Sequence, residues 1–95
     1  METIALNASR WEKSSDFYDA YLAAVGAPEW HGRNLDALWD SLTGGDINQR
    51  NPPFNIQITG TGQMSDAARE MVKRFEALII EARGVGPWVD IELLP

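Results

Sequence analysis

An α/β protein built on a three-stranded parallel sheet is what this sequence predicts. Three observations carry the reading. Phe54, Ile56 and Ile58, and later Val89, Ile91 and Leu93, alternate with polar residues at the period of a strand with one buried face. Before and between those stretches, apolar residues recur at i, i+3, i+4 and i+7, the stripe of a helix resting on a core. The elements therefore follow one another as β-α-α-β-α-β, and strands separated by helical crossovers pair in parallel with right-handed connections. The strict alternation places the helices mostly on one face of the sheet, in two layers. Parallel sheets are more often covered on both faces.

Each element has its own justification. Thr3–Leu6 is the first strand, with Ile4 and Leu6 on one face. Ser15 is placed to cap the first helix, and Asp16 just after it favours the positive helix end. Phe17, Tyr18, Tyr21, Leu22 and Val25 form its apolar stripe, and Gly26 followed by Pro28 stops it. Asn34 caps the second helix, whose stripe is Leu35, Leu38, Trp39 and Leu42; Gly44 and Gly45 end it in the manner of a left-handed cap. Pro52 and Pro53 mark a loop, because proline fits neither a helix interior nor a central strand. After the strand from Phe54, the GTGQ stretch turns the chain. Ser65 caps the longest helix, with Ala68, Met71, Val72, Phe75, Leu78, Ile79 and Ala82 facing the core, and Gly84 and Gly86 close it.

Composition narrows the function. A chain of 95 residues with 44% apolar and 23% charged residues suits one globular domain, 1–95. The net charge of -6 disfavours binding nucleic acid through phosphate contacts and suits a basic partner with fast, salt-sensitive association. No cysteine is present, so neither disulfides nor thiolate chemistry are expected. The N-terminus lacks the basic start and apolar run of a signal peptide, and no stretch has the length of a membrane span, so a cytoplasmic protein is expected.

The second helix poses the functional question. It carries Asp36 and Asp40 four residues apart, where like charges repel by roughly 0.2–0.5 kcal/mol. Asp36 lies in the first turn and gains from the helix dipole. Asp40 lies too deep for that gain, and aspartate is a poor residue for a helix interior. Folding alone supplies no reason for Asp40. One reading is an ordinary solvated face; the other is an acidic platform for a cationic site, since carboxylates take hydrogen bonds from Arg and Lys much as phosphates do. Trp39 belongs to the apolar stripe and is expected partly in the core. Trp30 and His31 precede the cap in a loop, where an aromatic beside charges suits an interface hot spot and a histidine is ordinarily a surface residue. Catalysis is poorly supported. Two carboxylates and His31 could suggest acid–base or metal chemistry, yet there is no HExxH motif and no phosphate loop, and one histidine with scattered acids makes a poor ligand set. No metal or cofactor is expected.

The stretch PEWHGRNLDALWDSLTGG resembles the binding segment of the barstar family, intracellular inhibitors of secreted microbial ribonucleases. The match is gapless from Gly32 to Gly44 and extends more weakly over the opening strand, the first helix, the late helix ending EARG and the last strand. The resemblance implies a three-stranded parallel sheet with packed helices. It also implies that the second helix and the loop before it enter a ribonuclease active site lined by Arg, Lys and His, in a one-to-one complex. By match, Asp40 is the central phosphate mimic and Asp36 its companion, and Trp30 stands where the family usually has a tyrosine over the catalytic histidine. His31, Gly32, Asn34, Trp39, Thr43 and Gly44 line the contact, with Glu81 an outlying acidic contact. Besides the tryptophan at 30, Gly45 departs from the pattern, standing where an aromatic occurs in the best-known member. The short stretch before the long helix implies that one family helix is absent or reduced. The other readings weighed are an immunity protein for a toxin nuclease of another family and a small acid–base enzyme.

Overall fold

The computed structural model describes all 95 residues. Strand β1 (Glu2–Asn7) leads into helix α1 (Ser14–Val25) and helix α2 (Leu35–Thr43). Strand β2 (Phe54–Thr59), a single 3-10 turn (Thr61–Gln63), helix α3 (Asp66–Ala82) and strand β3 (Val89–Leu93) follow. The sheet order is β1-β2-β3, all parallel, so β2 is central. The region between β2 and α3 thus keeps one 3-10 turn in place of a further helix.

Register explains the two layers. Ile4 pairs with Ile56 and Ile56 with Ile91, while Leu6 pairs with Ile58 and Phe54 with Val89. These side chains share one face, under the helices. The opposite face presents Thr3, Asn7, Asn55, Gln57, Asp90 and Glu92, all exposed or half-buried, and Gln57 Nε2 donates to Glu92 Oε1 across it at 2.9 Å. A parallel sheet tolerates an uncovered face here because that face is polar. The apolar face loses cover along β3: Val89 is buried, Ile91 half-buried and Leu93 exposed. An edge strand shares its cover with only one neighbour.

One cluster of 21 buried residues joins the sheet to all three helices. Its centre is aromatic. Phe17 and Tyr21 of α1 lie 4.7 and 5.0 Å, centroid to centroid, from Phe75 of α3, and Trp11 closes on the edge of Phe17 at 5.8 Å. Burial pushes the Tyr21 hydroxyl pKa well up, and that of Tyr18 less far.

Two helix ends differ from expectation. Helix α1 begins at Ser14, so Ser15 lies inside its first turn and does not cap it. Asp16 performs that task instead, its carboxylate accepting from the backbone N–H groups of Glu12 (2.8 Å) and Lys13 (3.0 Å). Those bonds, Glu12 first, hold the Asp16 carboxyl below the usual carboxylate range. At the end of α2, Gly44 has φ -95° and the left-handed residue is Gly45, φ 98°. Gly44 is required for space: a Cβ there would meet the Asp40 carbonyl oxygen at 2.7 Å.

Candidate functional site

Helix α2 belongs to an excursion that leaves α1 at Gly26 and returns to it. Gln49 N–H donates to the Gly26 carbonyl (3.2 Å) and Arg50 N–H to that of Val25 (2.9 Å). Within the excursion, Leu38 (0% exposed) and Leu42 (2%) anchor α2 in the core, with Leu35 and Trp39 packed half-buried beside them. Asn34 caps the helix, its Oδ1 accepting from Ala37 N–H at 2.8 Å. Thr43 Oγ1 donates back to the Trp39 carbonyl at 2.8 Å, and Ser41 Oγ, buried, to that of Leu38 at 3.1 Å. Every polar group on the inner side of α2 is therefore satisfied within the helix.

The outer side is different. Asp36 and Asp40 are exposed and take part in no ion pair and no side-chain hydrogen bond. The four ion pairs of the molecule, Arg33–Asp19, Arg50–Glu2, Arg74–Glu70 and Arg83–Asp90, use other carboxylates. Like-charged neighbours without compensation are a cost to the isolated helix. Glu81, also exposed and without an ion-pair partner, lies on α3, which packs against α2.

The loop before α2 separates its two ring-bearing residues sharply. His31 N–H donates to the Pro28 carbonyl at 3.0 Å, closing a β-turn whose corner is Glu29–Trp30. Trp30 stands out from that corner, 75% exposed. His31 does not lie on the surface as a loop histidine ordinarily would: it is 7% exposed, folded under the turn. Its Nδ1 lies 2.8 Å from the Gly32 carbonyl oxygen, which only accepts, so Nδ1 carries the proton. Nε2 is buried without a hydrogen-bond partner. Gly32 permits this packing, because a Cβ there would sit 2.9 Å from both the Ala37 Cβ and the Asn34 Nδ2.

Of the residues singled out in the sequence, Trp30, Asn34, Asp36, Asp40, Gly44 and Glu81 are exposed, while Gly32, Trp39 and Thr43 are half-buried and partly available. His31 alone is withdrawn. Arg33 was missed by the sequence reading, and the structure turns it back onto α1. Its Nη2 donates to the Ser15 carbonyl at 3.0 Å and pairs with the Asp19 carboxylate, and its guanidinium lies 5.8 Å from the Tyr18 ring centroid. Nothing in the local sequence reports a partner fourteen residues away.

The small α/β fold thus holds a short helix in its core by one face and presents unpaired carboxylates on the other, beside a loop with an exposed tryptophan. The model of the Barstar family, described as "Barstar (barnase inhibitor)", matches residues 1–91, and the chain belongs to that family. That description is of an inhibitor, not of an enzyme. Over 44 residues the chain is 39% identical to a protein of Bacillus subtilis (strain 168) named "Putative ribonuclease inhibitor YrdF". That match covers 46% of this chain and 48% of the relative, about half the length of each. No helix is long and apolar enough to cross a membrane.

Proposed function

We propose that this protein inhibits a microbial ribonuclease of the barnase type by seating α2 and the Pro28–Arg33 loop in its active site, one inhibitor to one enzyme. The observation that carries the reading is the pair Asp36–Asp40: exposed, unpaired, and set on a helix fixed to the core by Leu38 and Leu42. A ribonuclease site that holds RNA phosphates offers cationic donors at phosphate spacing, and carboxylates accept those donors in the same way. Asp40 is the central mimic and Asp36 its companion. Trp30 supplies a rigid apolar surface beside the charges, the composition of an interface hot spot. Asn34 offers its free side-chain N–H group, and Gly32, Trp39, Thr43 and Gly44 form the floor of the contact. Glu81 extends the acidic surface onto α3. His31 belongs to the support of the loop, being only 7% exposed. We place the inhibitor in the cytoplasm, where it protects the producing cell. Family membership and the name of the Bacillus relative support the class of target.

Titration of barnase with the purified protein tests the reading. Activity should fall linearly to an end point at one equivalent. Undiminished activity at excess inhibitor would remove barnase-type enzymes as the target and leave the alternative, a toxin nuclease of another family.

A further inference from the structure

The loop that carries Trp30 does not lie flush on α1. Between them runs a groove of about 290 Å³, with Leu22, Ala23, Pro28 and His31 among its walls. Polar contacts fasten the loop at both ends of this groove. At one end, Ala27 N–H holds the chain to the Leu22 carbonyl (2.9 Å). At the other, the fastening is Arg33, which bonds the Ser15 carbonyl and the Asp19 carboxylate.

Charge gives this fastening a second consequence. Residues 27–48 contain Glu29, Asp36, Asp40 and Asp46, and Arg33 is the one Arg or Lys among them. A free cation in this segment would repel a basic partner. Turned onto α1 and paired with Asp19, Arg33 is withdrawn from the acidic surface while it closes the loop.

We infer that Arg33 and Asp19 form a latch that holds the Trp30 loop in its binding conformation and keeps the Arg33 charge away from the partner. Arg33 is a positioning residue, and the inference rests on the ribonuclease reading above. Its two parts separate by mutation. Arg33→Ala releases the loop and removes the cation. Asp19→Ala releases the loop and leaves the cation free beside the incoming enzyme. An exposed ion pair favours its conformation by a factor of about two to five, and affinity falls with the fraction of competent loop. Arg33→Ala should then weaken binding of barnase by no more than about fivefold, and Asp19→Ala several-fold more. Without Arg33 the Asp19 substitution has nothing left to unpair, so the double variant should match Arg33→Ala.

The test joins these affinities to backbone ¹⁵N relaxation of the free protein. In the wild type the amides of Trp30, His31 and Gly32 should have order parameters near the rigid value of about 0.85, falling towards about 0.6 in both single variants. Melting temperatures should stay close to wild type, because both side chains are about half exposed or more. Order parameters unchanged in Arg33→Ala would overturn the latch. So would a double variant whose loss is the product of the two single losses. Failure of the wild type to bind barnase would overturn the ribonuclease reading instead, and the relaxation data would then decide the latch alone.

Discussion

Leu38→Ala measures how firmly the platform is fixed. The Leu38 side chain is fully buried on the inner face of α2, one turn from Leu42 and beneath Asp36 and Asp40 on the outer face. Truncation removes three carbons from the core, a transfer loss of about 2.4 kcal/mol at roughly 0.8 kcal/mol per buried carbon. The cavity adds about 24 cal/mol for each Å³ that the neighbours fail to refill, bringing the expected total to roughly 3–4 kcal/mol. For a domain of this size, stability totals about 5–14 kcal/mol, so the variant still folds at room temperature in most of that range. Each kcal/mol lowers Tm by about 4–8 °C, and the shift should exceed roughly 12 °C. Circular dichroism at 222 nm against temperature, checked by urea unfolding with an unchanged m-value, measures it. A shift below about 4 °C would show that α2 is not held by its Leu38 face, and the rigid acidic platform would fall with it.

Three further outcomes follow from particular contacts. Gly44→Ala forces a Cβ to 2.7 Å from the Asp40 carbonyl oxygen, so the last turn of α2 must open, at about 1–3 kcal/mol, seen as faster amide exchange at Thr43 and at position 44. Asp16 has a lowered carboxyl pKa, so its stabilising bonds to Glu12 and Lys13 are present above the ordinary carboxylate value and lost as pH falls through the folded one. Asp16→Ala should therefore lower Tm at neutral pH, with the gap to wild type closing in acid; a gap that stays constant would contradict the assignment. Stopped-flow association with barnase should slow by roughly tenfold or more as the Debye length shrinks from about 30 Å at 0.01 M salt to about 3 Å at 1 M. A rate indifferent to salt would count against steering by the acidic surface.

The strand and helix periods of Ile56, Ile58, Leu38 and Phe75 were legible because each element buries one face, and burial writes its period into the sequence. Asn34 and Ser65 were legible as caps for a local reason: each side chain bonds a backbone N–H three residues on. Asp16 is legible as favourable to the helix start, but its bonds to the entering chain are not. Its two bonds run backward in the chain, to residues that a forward search for a cap does not examine. The acidic pair on α2 stands out in the sequence because it violates a local preference. Burial of His31 and the turn of Arg33 towards Asp19 were not legible. Both depend on the packing angle between α1 and the loop, which no single segment encodes.

Substitution of Asp40 separates binding from folding. The exposed Asp40 carboxylate makes no ion pair within the fold, so Asp40→Ala and Asp40→Asn should keep or slightly raise Tm, a clash with Asp36 being relieved. In complex with barnase, the same changes should strand cationic groups in the enzyme site. Truncating one partner of a buried charge pair costs about 2–5 kcal/mol or more, a scale to which barstar and barnase themselves contribute. That corresponds to a loss of roughly 30- to several-thousand-fold in Kd. Measured on one preparation, stability retained with inhibition lost is the predicted result. Variants that inhibit barnase as tightly as the wild type would contradict the claim that α2 is the binding element, and variants that unfold would show Asp40 to be structural.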